Sequence, residues 1–297
     1  MNTDSRANKR TTRQRRRKPP LSLTLLRLAF SKLGPLFPSL FGAWAYRLWF
    51  STRRFKAPRR EQPWTENAGS EIIELAGIPI MTWQWGKPQQ PLVVLMHGWN
   101  GRGSQLAAFA GPLVKAGFRV LAYDAPGHGH SPGNSTNIFT MSNVLTAIAD
   151  KVSPIYAIVG HSFGGMTASL AISKGLHTSR VVFISTPATF DYLVELFVTG
   201  LRIPPVVKHK LVARLQARFG DRLFDEIATV TTCQALAGIP ALVIHDEKDL
   251  DVPVTHARQI HQACPGSELM ITSGLGHKRI LYNKKVIEAV GSFLAKK

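Results

Sequence analysis

A chain of 297 residues, 44% of them hydrophobic and with mean hydropathy close to zero, holds enough apolar material for one large core, which excludes a disordered or low-complexity protein. Its two cysteines, Cys233 and Cys264, exclude a disulfide framework and lack metal-ligand spacing, so they read as small buried hydrophobes in a reducing, cytoplasmic compartment. The net charge of +19 is concentrated at one end: residues 1–60 carry 16 Lys and Arg against one acid, Asp4, and residues 61–297 carry 21 bases and 17 acids.

Residues 1–20, MNTDSRANKRTTRQRRRKPP, have no hydrophobic periodicity and are expected to be disordered. Residues 21–50 are apolar but broken by Arg27, Lys32, Pro35, Pro38 and Arg47. Their longest uncharged run is the 14 residues from Leu33 to Tyr46, short of the roughly 20 that a membrane span needs. The basic cluster STRRFKAPRR follows, which argues against a secretory signal peptide even though AWA at 43–45 imitates a cleavage site. Four readings of this stretch stand: an interfacial anchor, a mitochondrial-type transit peptide, a poorly formed transmembrane anchor, or a helical pair packed on the rest of the chain. Interfacial binding is the expected one, with peripheral contact to an anionic membrane through residues 1–60. Beyond residue 60 no basic stripe with interleaved aromatics occurs, so nucleic acid is not expected as a partner. On this reading residues 1–60 are an extension and 61–297 the folded domain, and a chain starting near residue 61 is expected to stay soluble.

From residue 70 short apolar runs alternate with helical periodicity, the rhythm of βαβ units. Strands are predicted at 71–75, 78–84, 92–96, 119–123, 155–159, 181–185, 241–245 and 268–272. Helices are predicted near 104–116, 138–151, 162–175, 254–263 and 279–295. The first two strands are close enough for an antiparallel hairpin, and the later ones need crossovers and should be parallel.

Where the fifth strand meets its helix the sequence reads YAIVGHSFGGMTASLAISKG, with Gly160, Ser162, Gly164 and Gly165 at the junction. The pattern G-x-S-x-G between a buried strand and a helix puts a serine at a strained apex, its hydroxyl exposed, with glycines where strand and helix pass closely. A serine hydroxyl needs a histidine base oriented by a carboxylate to act as a nucleophile.

At these residues the chain resembles the α/β-hydrolase family of serine esterases and lipases, whose triad runs serine, acid, histidine along the chain. The resemblance implies an α/β-hydrolase fold, a mostly parallel sheet flanked by helices with a small helical cap, over roughly residues 70–296. In ALVIHDEKDLDVP the family's aspartate, followed by two residues and then Val-Pro, corresponds to Asp249, with Asp246 as the alternative. Of the histidines that follow, His256 and His261 fall on a predicted helix, whereas His277 in SGLGHKRIL resembles the family's catalytic-histidine loop. VLMHGWNGRGS resembles the oxyanion loop, which implies that the backbone N–H groups of Trp99 and Phe163 form the oxyanion hole. His97 there, and His128 and His130 in YDAPGHGHSPG, are read as loop and turn residues rather than metal ligands, and neither metal nor cofactor is expected.

Residues 187–232 interrupt the strand rhythm with apolar positions at helical spacing (Leu193, Leu196, Phe197, Leu201; Val207, Leu211, Leu215, Phe219), read as two or three short helices. As a cap they are a packing layer, a lid over an acyl pocket, or both. The expected substrate is a small-molecule ester with a hydrophobic acyl group. Thioesterase, acyltransferase or peptidase chemistry on the same fold remains open, as does a non-catalytic binding module.

Overall fold

The apolar runs pair into one eight-stranded sheet in the computed structural model, which describes residues 19–296. The strands are β1 (Gly69–Leu75), β2 (Ile78–Trp85), β3 (Leu92–Met96), β4 (Arg119–Tyr123), β5 (Ile155–His161), β6 (Arg180–Ile184), β7 (Ala241–Asp246) and β8 (Glu268–Thr272). They lie in the order β1-β2-β4-β3-β5-β6-β7-β8. Ala76 and Gly77, both with positive φ, close the β1–β2 hairpin, a backbone turn that matches the twist of paired antiparallel strands. β2 also runs antiparallel to β4, and the remaining pairs are parallel. The sheet is the one expected for an α/β hydrolase. The expected disorder of residues 1–20 falls, for residues 1–18, outside the described residues.

The longer helices are α1 (Leu21–Leu33), α2 (Pro38–Phe50), α3 (Ala110–Lys115), α4 (Ile138–Lys151), α5 (Phe163–Ser173), α6 (Phe190–Leu201), α7 (Pro205–Phe219), α8 (Thr255–Ala263) and α9 (Lys284–Ala295). Side-chain alternation along β3 sends Leu92, Val94 and Met96 to a face covered by α4, α5 and α8. Val93 and Leu95 point to the face covered by α3 and α9. Because α5 is enclosed on all sides, it is apolar all round, with every residue from Phe163 to Ile172 buried.

Two predicted helices begin elsewhere. The segment expected to be helical from 104 starts as a 3-10 turn, Gly103–Phe109, and becomes α-helical only at Ala110. The last helix starts at Lys284 rather than 279, because the Asn283 side chain caps it by accepting from the Val286 N–H, while residues 276–282 make turns of their own around His277.

The cap consists of α6 and α7 followed by single turns at Leu223–Glu226 and Thr229–Thr232. Residues 21–50 form a helical hairpin packed on it. Phe30, Phe41 and Ala45 are buried, and α2 lies along α7 so closely at Gly42 that an added Cβ would come 2.5 Å from the Cβ of Lys210. Trp49 meets Phe190 and Phe197 edge-on, with ring centroids 5.4 and 5.2 Å apart. Among the described residues no helix is long and apolar enough to cross a membrane.

Candidate active site

Ser162 sits between β5 and α5 with φ 54° and ψ −123°, a left-handed backbone that a side-chain-bearing residue rarely adopts. Backbone bonds hold it there: its N–H donates to the Ile184 carbonyl at 2.8 Å and its carbonyl accepts from Gly165 at 3.0 Å. The surrounding glycines are sterically required. A Cβ at Gly160 would meet the Gly165 Cα at 2.6 Å, and one at Gly164 the Met96 carbonyl oxygen at 2.5 Å. At Gly98 a Cβ would come 2.9 Å from that of Ser162, so the loop after β3 passes directly over the serine. Among the described residues the Ser162 hydroxyl makes no hydrogen bond, and it opens into a cavity that His277 also lines.

Asp249 and His277 meet. His277 Nδ1 lies 2.7 Å from Asp249 Oδ2, which places the ring proton on Nδ1 and leaves Nε2 as the acceptor. The other carboxylate oxygen accepts from the Asp251 and Val252 N–H groups, both at 2.9 Å. Burial raises the Asp249 pKa, but the bonds from His277 and the two amides outweigh it and hold the carboxyl below its ordinary range. Asp246, the alternative acid, is engaged elsewhere. It accepts from Lys248 N–H, Thr272 Oγ1 and Leu275 N–H; burial pushes its pKa up, but the Gly276 N–H together with these three donors outweighs burial and brings it down to about 2. Of the remaining candidates, His256 is turned away, accepting the Ala188 N–H at 3.1 Å, and His261 pairs with Ser267.

Two histidines that sequence reasoning left without a role brace this pair. The His161 ring packs at a tilt against that of His277, with centroids 4.7 Å apart, and donates from Nε2 to its carbonyl at 2.9 Å; burial lowers its pKa to about 3, so it stays neutral. His245 donates in the same way to the Val252 carbonyl at 2.8 Å, fixing the loop that carries Asp249. The contacts span 116 and 7 residues, and only the second had a local signal in the sequence.

The N–H groups of Trp99 and Phe163 make no hydrogen bond among the described residues, and the Trp99 ring packs edge-on to Phe163 at 5.2 Å. The surrounding loop is tightly tied. His97 accepts from the Ala125 N–H and donates to the Gly98 carbonyl, and His128 accepts from Asn100 and donates to Pro126, so both nitrogens of each ring serve the backbone. A strap from the N-terminal side completes it. Arg53 N–H donates to Asn100 Oδ1 at 2.7 Å, and buried Glu61 accepts from Nε and Nη2 of Arg102, at 2.8 and 2.5 Å, and from Ser104 Oγ at 2.6 Å. Glu61→Gln would leave the buried Arg102 charge without its partner. It is expected to destabilise the protein by about 3 kcal/mol in urea unfolding.

The cavity over Ser162 has a volume of about 940 Å³ and is walled by Leu193, Phe197 and Leu201 of α6, Phe219 of α7, and Leu23, Leu26 and Trp49 of the N-terminal hairpin. Sequence reasoning offered the cap as a packing layer, a lid over this pocket, or both. The hairpin's share was not legible, since nothing in an apolar run marks which of its sides faces a pocket.

A mostly parallel sheet with a strained serine at the β5–α5 turn, and a histidine and aspartate on the loops after β8 and β7, defines an α/β hydrolase. The chain belongs to the alpha/beta hydrolase family, whose model matches residues 93–289. The pimeloyl-[acyl-carrier protein] methyl ester esterase of Methylococcus capsulatus is 35% identical over 99 residues, 33% of this chain and 38% of that protein. An sn-1-specific diacylglycerol lipase of Mus musculus is 27% identical over 162 residues, 51% of this chain and 53% of that one. The chain thus spans about half or less of the length of these two relatives. Among solved structures, a membrane phospholipase A superimposes with a TM-score of 0.60 at 18% identity, covering 92% of this chain and 97% of that one. An esterase of Pyrococcus furiosus gives 0.59 at 18% identity, covering 82% and 96%. At that level of identity the likeness is one of fold.

Proposed function

We propose that the protein is a serine esterase that cleaves carboxylic esters of hydrophobic acyl groups through an acyl-enzyme. The observation that carries the reading is that Ser162, on its strained turn, and His277, held by Asp249 at 2.7 Å, line one apolar cavity. Ser162 Oγ attacks the ester carbonyl as His277 Nε2 takes its proton. The Trp99 and Phe163 N–H groups stabilise the oxyanion, and the proton passes to the departing alcohol. A water molecule, deprotonated by the same nitrogen, then releases the carboxylic acid and restores the serine.

The test is a panel of p-nitrophenyl esters of rising chain length set beside aminoacyl amides. Medium acyl esters should have the highest kcat/KM, and Phe197→Ala, which deepens the cavity, should move the ratio of longer to shorter chains by about tenfold. Amides turned over faster than esters would replace this reading with a peptidase, and faster thioesters with a thioesterase.

The two carboxylates separate by their variants. In Asp249→Asn the amide presents the wrong group to Nδ1, and kcat is expected to fall about 10⁴-fold with a small change in stability. Asp246→Asn should do the reverse, costing about 1–3 kcal/mol by mismatching its three donors while kcat changes little. Because the Asp246 pKa is depressed from 3.8 to about 2, its stabilisation is complete above about pH 4 and is lost as the pH falls through 2. The wild type should therefore lose stability in that window relative to Asp246→Asn. A large kcat loss in Asp246→Asn with a mild one in Asp249→Asn would reverse the assignment.

A further inference from the structure

The N-terminal hairpin is covered on one side and bare on the other. On α1, Leu21, Leu25 and Leu28 face solvent, as do Leu36, Phe37, Leu40 and Trp44 at the turn and on α2, each between 39% and 73% exposed. Spacings of three and four keep each set on one side of its helix, and Trp44 stacks on the buried Phe30 at 5.1 Å, which packs α2 against α1. Soluble domains rarely leave so many large apolar side chains together without a partner. The opposite sides of the same helices carry Leu23, Leu26 and Trp49, which wall the cavity over Ser162. One helix thickness, about 10 Å, therefore separates the bare face from the acyl space.

Charge identifies the partner. Residues 19–60 contain no acid, and Arg53, Lys56, Arg60 and Lys278 line the cavity with exposed side chains that form no ion pair among the described residues. Asp251 is the one carboxylate in that lining. A second copy of the chain on this face would set the exposed Lys32 and Arg47 against their own kind, whereas an anionic lipid layer meets the apolar stripe and these two cations together.

We propose that the α1–α2 hairpin seats the protein on an anionic lipid layer and that the substrate enters from that layer, an acyl ester of an anionic amphiphile. Its acyl chain lies behind the hairpin, and its head group lies among Arg53, Lys56, Arg60 and Lys278. The assignment rests on the esterase reading of Ser162 and names the substrate class for it.

The experiment sediments the full chain with phosphatidylglycerol vesicles and with phosphatidylcholine vesicles, and follows release of fatty acid from each. Wild type should pellet with the anionic vesicles at least about tenfold more than with the neutral ones, with part released by high salt, and should hydrolyse the anionic lipid faster. Leu25→Glu combined with Leu40→Glu should lose about tenfold in pelleting and in vesicle hydrolysis while p-nitrophenyl acetate turnover stays within about twofold. Leu36→Glu combined with Phe37→Glu provides an independent pair if the first destabilises the hairpin. Arg53→Gln combined with Lys56→Gln should cut the preference for anionic over neutral lipid by roughly tenfold. Fluorophosphonate labelling separates catalysis from lipid binding: wild type that binds vesicles but neither labels nor turns over acetate would fail as an esterase while keeping its lipid seat. No pelleting by wild type, or undiminished pelleting and vesicle hydrolysis by both glutamate pairs, would overturn the seat. A dimer broken by those pairs without vesicle binding would assign the face to self-association. Release from vesicles by inorganic phosphate beyond a chloride control of equal ionic strength would assign the cations to a soluble phosphate and overturn the lipid head group.

Discussion

Ser162→Ala is expected to lower ester turnover by roughly 10⁵- to 10⁶-fold and to abolish fluorophosphonate labelling, while unfolding stability changes by less than about 0.5 kcal/mol. The two halves of this prediction have separate causes. The hydroxyl makes no hydrogen bond among the described residues, so its removal leaves no buried partner unsatisfied. The strained backbone at φ 54° is held by the Ser162 N–H donating to the Ile184 carbonyl and the Ser162 carbonyl accepting from the Gly165 N–H, main-chain bonds that alanine retains. The loss is therefore chemical, since no other group at the apex can carry the acyl intermediate, and the small residual rate would come from the Trp99 and Phe163 donors. Kinetics on p-nitrophenyl butyrate beside urea unfolding measures both halves, and a variant that unfolds early would place the serine's role in the fold instead.

Removal of residues 1–60 is expected to bring aggregation or loss of a cooperative unfolding transition, not the soluble domain that charge distribution alone suggests. Phe30, Phe41 and Ala45 are buried against the cap, and α2 covers the side of α7 that carries Val207, Leu211 and Leu215. Each large side chain uncovered costs about 1.5–3 kcal/mol, so a handful matches the whole stability of a typical domain. The cut also removes the segment that ties Asn100 through the Arg53 N–H, and it opens the cavity on the side of Leu23, Leu26 and Trp49. Circular dichroism and calorimetry on a chain starting at Glu61 decide the matter. A sharp transition with full acetate turnover would show the hairpin to be a dispensable appendage.

The difference between these two regions shows what sequence carries. GHSFG announced its geometry because the steric demand is local: strand, turn and helix are contiguous, and the glycines that let them approach stand within five residues of Ser162. The strands of the sheet were legible for the same reason, since burial on both faces forces continuous apolar runs such as Leu92–Met96. Asp249 and Asp246 could be ranked by family resemblance, but their division of labour depends on which backbone amides and which histidine face each oxygen, and that is set jointly by the loops after β7 and β8. Arg53, Glu61 and His161 act across 47, 41 and 116 residues, with no periodicity to mark them. Residues 21–50 show the sharpest limit. Leu21, Leu23, Leu25 and Leu26 are equivalent letters in an apolar run, yet the first and third face solvent while the others wall the cavity.

Intact-mass and peptide mapping of the protein after reaction with a fluorophosphonate tests the central claim most directly, because it reads nucleophile and machinery in one adduct. A single adduct on Ser162, formed in the wild type and slowed by several orders of magnitude in His277→Ala and Asp249→Asn, is the predicted result. Adducts on another residue, or labelling of Ser162 at the same rate in the His277 variant, would contradict it.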